Sequence, residues 1–296
     1  MTVRTATLGF TRLPTPSSRF ARPARDGAFL AGMVFSVMLA LGLLPFAVDA
    51  HAYWAADPLD PYAATAAALS DFDGYFYSPA FTQAIWPLHS LPWPIFAGLW
   101  TAAIVVAFNW LSGLWLGLVI LLPPVFIEVA MGNIHAFLAV AIVLGFRWPA
   151  TWAFVLLTKV TPGVGLLWFA VRREWRNLAI ALGATAAIVA ISFAIKPSLW
   201  PEWIDVLVGR SAAPNTAGIY GAIPLAPRLA VAAILVVWAA VTNRRWVMPF
   251  VVLLAMPVVW PNAYSVIVAV LMLLVPMTSE SLQQPSVATS RSAAEA

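Results

Sequence analysis

Apolar residues in this chain come in blocks of near-bilayer length, separated by short polar, aromatic or proline-rich breaks. Such blocks run over 28–48, 94–111, 113–130, 134–147, 177–195, 226–243, 246–259 and 263–277. About 20 apolar residues in a helix cross a hydrocarbon core of about 30 Å. Backbone polar groups in lipid must also be satisfied within the segment, which favours helices. The pattern therefore predicts an all-α fold, a polytopic transmembrane bundle of about eight spans over residues 28–277. Residues 1–27 read as a disordered cytoplasmic leader and 278–296 as a disordered cytoplasmic tail. No convincing internal repeat is visible.

A ninth apolar stretch, 148–171, breaks the pattern. Lys159, one of two lysines in the chain, interrupts it, and Thr161-Pro162-Gly163 follows at once. Proline ends a helix and glycine permits a reversal. One reading is a single kinked span; the other is a re-entrant helical hairpin with Lys159 at its apex. Charge favours the hairpin. Arg147 precedes the stretch and Arg172, Arg173 and Arg176 follow it, and a single span would place these basic ends on opposite faces. From Arg147 to Lys159 is about 18 Å of helix, a little more than half the core.

Charge also orients the rest. The leader carries five arginines and one acid, Asp26, whereas 49–93 carries five aspartates and neither lysine nor arginine. By the positive-inside rule the leader lies in the cytoplasm and the aspartate-rich stretch outside. This gives a multi-pass cell-membrane protein with both termini cytoplasmic. A signal-peptide reading of 28–48, with "VDA" before His51, is the alternative.

Composition narrows the chemistry. Hydrophobic residues make up 62% and charged residues 9%, against about 25% charged in soluble proteins. The chain has no cysteine, so it has no disulfide framework and no thiolate chemistry. The net charge of +4 resides largely beside hydrophobic runs, where it sets topology rather than contacting nucleic acid. Neither a nucleotide P-loop nor a zinc-binding H-E-x-x-H motif occurs, and no cofactor or metal ligand set is assigned.

Five places could carry chemistry. Lys159 is either a snorkelling or Glu128-paired lysine, or a ligand for an anion arriving from the lipid, such as a phosphate. Asp49, followed by His51, Tyr53 and Trp54, falls at the end of the first expected span. There it is either an ordinary outer carboxylate or a general base at a cavity mouth. The stretch "GYFYSPAFTQAIWPLHSLP" brings Tyr77 among aromatics suited to a sugar or an isoprenoid, or to an aromatic belt. "EVAMGNIHAF" places Glu128, Asn133 and His135 in one outer turn, and "PVVWPNAYSV" places Asn262 and Tyr264 in another.

Taken in order, these motifs resemble the bacterial family 87 glycosyltransferases. The resemblance rests on Asp49 with its aromatic pair, "YSPAF" at 77–81, "GNIH" at 132–135, "KVTPGVGLLWFAVRREWR" at 159–176 and the late "WPN" turn. Late in the chain, where that family often carries histidines after its tryptophan, this sequence has Pro261, Asn262 and Ala263. The resemblance implies a glycosyltransferase-C-like membrane enzyme. Such an enzyme moves a hexosyl unit, typically mannosyl, from a polyprenyl phosphate to an acceptor hydroxyl on the outer face. It further implies Asp49 as catalytic base, Lys159 as donor-phosphate ligand, and a lipid or glycan acceptor. His51, Tyr53, Tyr77, Glu128, Asn133, His135, Asn262 and Tyr264 are the candidate substrate-binding residues. A non-enzymatic carrier or flippase of an amphiphilic substrate is the alternative function, and a partner subunit is a third.

Overall fold

The computed structural model describes residues 19–63, 74–212 and 223–274. Asp71, Asp73, the expected tail and most of the expected leader lie outside the described residues. Those that are described form helices and turns, with no strand among them.

Among the described residues, two helices are long and apolar enough to cross a membrane, Trp93–Val119 and Trp175–Ile195. A third span is obtained if Pro123–Met131 and His135–Gly145, bent by 110°, are counted together. The expectation of about eight spans is thus met only in part. The expected 113–130 span does not run through, because Pro123 and Pro124 lack amide hydrogens and a new helix starts at Pro123. The first helix is also displaced from 28–48 and occupies Ala21–Ala40. Gly42 then takes φ +68°, and a separate helix of 8 residues, Val48–Ala55, begins after Ala47 at φ +68°. Asp49 consequently sits in the first turn of a short docked helix, not at the end of a span.

Small residues build the first seam. Ala21–Ala40 lies against the Trp93–Val119 rod in antiparallel order. A Cβ on Gly98 would meet Ala40 at 2.6 Å, and one on Gly32 would meet Val105 at 2.8 Å. Helices in lipid gain little from burying apolar surface, so close backbone packing at small residues is what binds them.

The 148–171 stretch doubles back. Its arms are Trp152–Thr158 and a 3-10 turn, Thr161–Leu166, running into Leu167–Val171. Trp152 fills the space where a Cβ on Gly165 would sit, and Leu156 does the same at Gly163. Just before the arms, Phe146 packs its ring 5.2 Å from that of Trp168. A continuous helix would hold those two residues about 33 Å apart. Of the two sequence readings, the reversed segment is the one observed.

Candidate active site

The short helix Val48–Ala55 is positioned by two backbone devices. The Ala47 amide donates to the Ala130 carbonyl at 2.7 Å. Gly132 ends Pro123–Met131 in the left-handed region at φ +72°, as glycine commonly does after a helix. It also lies so close that a Cβ there would be 2.8 Å from the Ala50 Cβ. Only glycine satisfies both requirements. Asp49 is thereby set beside the next residue of that turn, Asn133.

The Asn133 amide donates to Asp49 Oδ2 at 2.7 Å, and the Asn262 amide approaches the same oxygen at 3.5 Å. Both carboxamides are buried. Three segments far apart in sequence therefore meet at one carboxylate. Burial raises the Asp49 pKa above its ordinary 3.8, opposed by the Asn133 hydrogen bond. Glu128 adds to the rise, while His135 and Lys159 lower it, so the lysine lies within electrostatic reach.

Glu128 and His135 have a different character. Glu128 is fully buried and accepts from the His135 amide at 2.6 Å, the Ala136 amide at 3.3 Å and the His135 Nδ1 at 2.9 Å. The carboxylate satisfies amides at the start of His135–Gly145 that have no intrahelical partner. It also lies at the positive end of that helix. The pair fixes the turn from which Asn133 reaches Asp49, and Glu128 makes no ion pair with Lys159.

Lys159 is half-buried, in extended backbone at the end of Trp152–Thr158. Among the described residues it has no carboxylate within ion-pair distance. Its Nζ lies 4.9 Å from the centroid of the Tyr77 ring, a cation–π contact. The Tyr77 hydroxyl is 3.0 Å from that of Tyr53, one turn beyond Asp49 on the same helix. Tyr62 donates to the Tyr77 carbonyl at 2.8 Å. An aromatic bridge therefore links the cation to the helix that bears the carboxylate.

Two expected site residues stand apart. His51 projects from another face of its helix, with its ring 4.8 Å from Trp93 and 5.6 Å from Trp54. Tyr264 lies half-buried against the apolar core, on the same 3-10 segment as Asn262. Two residues that sequence reasoning missed also help to place this region. Thr161 donates to the Ala255 carbonyl at 2.5 Å, and Arg228 is buried against carbonyls of the same segment. Arg228 carried the same signal as Lys159, a lone cation in an apolar run.

Beside the bridge lies an apolar groove of about 350 Å³, lined by residues that include Phe81, Phe137, Ala141, Phe154, Leu157 and Ile188. Phe81, one of its lining residues, has its ring 5.3 Å from the Tyr77 ring that contacts Lys159. Its outer wall includes Ile188 of Trp175–Ile195, a helix whose apolar window is only 11% buried inside the protein. The apolar groove thus adjoins the aromatic residues that connect the cation to the half-buried carboxylate.

Comparison with known proteins gives one match. The family model of glycosyltransferase family 87 covers residues 75–277 of the 296. The match takes in Tyr77, the 132–135 turn, Lys159 and Asn262, and begins after Asp49. No curated protein and no solved structure matches the chain.

Proposed function

The chain belongs to glycosyltransferase family 87, and from that premise we propose that it transfers a hexosyl unit, mannosyl foremost, from a polyprenyl-phosphate donor to a hydroxyl of a lipid or glycan acceptor. The enzyme class follows from the family; the donor, sugar and acceptor are this proposal's content. The observation that carries it is the connection of a cation, through an aromatic bridge, to the helix of a carboxylate met by two carboxamides, beside an apolar groove.

In the reaction, the acceptor oxygen attacks the anomeric carbon of the donor sugar. The bond from that carbon to the phosphate oxygen breaks, and the polyprenyl phosphate departs with the bonding pair. Asp49 Oδ2 is aimed by two carboxamides and its free carboxylate oxygen accepts the acceptor's proton. The Lys159 ammonium stabilises negative charge gathering on the leaving phosphate, where a fixed charge in a water-poor site has its largest effect. Tyr77 and Tyr53 form the floor against which the sugar rests. Asn133 and Asn262 orient the base, and Glu128 with His135 orients Asn133. The isoprenoid chain occupies the apolar groove, entering past Trp175–Ile195.

The same proposal includes the membrane arrangement. The bundle spans the cell membrane about eight times, with 148–171 re-entering from the cytoplasmic side and both termini cytoplasmic. Transfer then takes place toward the outer face, with no cofactor called upon. Incubating membranes with a labelled polyprenyl-phosphate-mannose and candidate acceptors tests the reading. Label should appear on a product lipid or glycan. Label confined to the donor, or turnover equal to wild type in Asp49→Asn, would exclude this mechanism and leave a carrier as the better account.

A further inference from the structure

Four successive carbonyls, those of residues 254–257, each accept a hydrogen bond from a side chain elsewhere in the chain. Arg228 donates to Leu254 at 3.2 Å, to Met256 at 2.7 Å and to Pro257 at 2.9 Å. Thr161 donates to the one between them, Ala255, at 2.5 Å. The strip begins at the end of the helix Met248–Ala255, whose last carbonyls have no intrahelical partner. Met256 turns to extended backbone and Pro257 contributes no amide, so the chain cannot satisfy these groups itself.

Arg228 lies in the first turn of Leu225–Val241, the positive end of its own helix and a poor place for a cation. It is nonetheless buried, at 4% exposure. The neighbouring helix end explains it, because a planar guanidinium with five donors can serve several carbonyls at once. This helix end presents negative partial charge and favours the cation.

The strip joins the two halves of the site. Upstream, Thr161 is two residues from Lys159, at the apex of the doubled-back segment. Downstream, the chain passes through Trp260 and Pro261 to Asn262, which approaches Asp49. We propose that Arg228, acting with Thr161 through this carbonyl strip, is a positioning residue that holds the Lys159 apex and the Asn262 turn in fixed relation. The clamp is read from geometry alone, and its consequence for catalysis rests on the glycosyltransferase reading above.

The native chain has no cysteine, so single introduced thiols give clean reporters. Val160 and Pro261 are both exposed and flank the clamp on either side. In otherwise unaltered protein, Val160→Cys reports on the apex and Pro261→Cys on the turn, by their rates of maleimide labelling. Arg228→Met is expected to speed labelling at the distant Val160→Cys about tenfold, the order set by losing a buried charged hydrogen bond. Thr161→Val should speed labelling at the distant Pro261→Cys, and Thr161→Ser should restore the native rate. If each substitution altered only the reporter on its own side, the coupling would be overturned. If Arg228→Met does not accumulate, Arg228→Lys takes its place with the same two outcomes. In the transfer assay, Arg228→Met should raise the KM for a polyprenyl-phosphate-mannose donor that it does not touch. An unchanged donor KM would count against the clamp. Loss of transfer in every form, wild type included, would instead remove the glycosyltransferase reading while the labelling result still decided the clamp.

Discussion

Two chain reversals flank the candidate site, and they are built on opposite plans. At 131–135 every polar group named is committed: Gly132 turns the chain, Glu128 takes two amides and an imidazole, and Asn133 reaches Asp49. At 158–163 the backbone is clamped by Thr161, but among the described residues Lys159 has no carboxylate at ion-pair distance and lies over an aromatic face. The first reversal is closed and holds a tool in place. The second keeps a charge available for something the protein does not supply. A buried polar group without partners is costly, so charge left uncommitted beside a site points to a ligand.

The widest separation should come from Asp49, which the closed turn exists to hold. Asp49→Asn keeps the shape and removes the base, and kcat should fall about a hundred- to ten-thousand-fold with the protein still folded in membranes. Turnover near wild type would remove the carboxylate from the chemistry. Next in size is Glu128→Ala. Removing one member of a buried pair typically costs about 3–5 kcal/mol, and detergent thermal melts should show a large drop. A melt close to wild type would mean the turn is not locked as described.

Lys159→Met should behave the other way. Its melting temperature should fall much less than that of Glu128→Ala, because the cation–π contact of a half-buried lysine contributes only about 0.5–2 kcal/mol. Donor affinity should fall about tenfold or more, as for a lost charge-assisted hydrogen bond. Unchanged affinity would put the lysine with the structural residues and erase the contrast.

The smallest effect is in the pH profile. As the proposed base, Asp49 would act only when ionised, so activity should rise with pH through its pKa, which burial has raised above 3.8. Asn133 opposes that rise by bonding the ionised form, so Asn133→Ala should move the rising limb to higher pH. A limb that stayed put or moved down would show that Asn133 does not act on this carboxylate.

Much of this was legible in the chain because the relevant signals are local. Thr161-Pro162-Gly163 announces a reversal, and a lysine in an apolar run must have a reason to be there. Expecting the breaks that carry Asp49, Asn133 and Asn262 on one face made them candidates for one site, and the three side chains do meet. The finer placements depend on contacts between segments remote in sequence. The turn into Val48–Ala55 relies on Ala47 docking to Ala130, so an apolar run at 28–48 looked continuous when it is not. His51 was grouped with Asp49 by proximity, although two residues along a helix is more than half a turn away from it. Arg228 carried the same signal as Lys159, but what it does was hidden, because its partners are carbonyls about thirty residues later and carbonyls have no sequence signature.

The thinly packed helix Trp175–Ile195 has a consequence for where the enzyme works best. Its 21 residues extend about 31 Å, close to the hydrocarbon thickness of a bilayer. Most of its apolar window faces outward, so few neighbouring side chains hold its tilt against a change in bilayer thickness. Because Ile188 of this helix walls the apolar groove, a thinner bilayer that tilts the helix changes the width of the slot. With the proposed lipid-linked donor seated in that groove, turnover in vesicles of graded thickness should pass through a maximum, and a flat profile would show that the wall does not move.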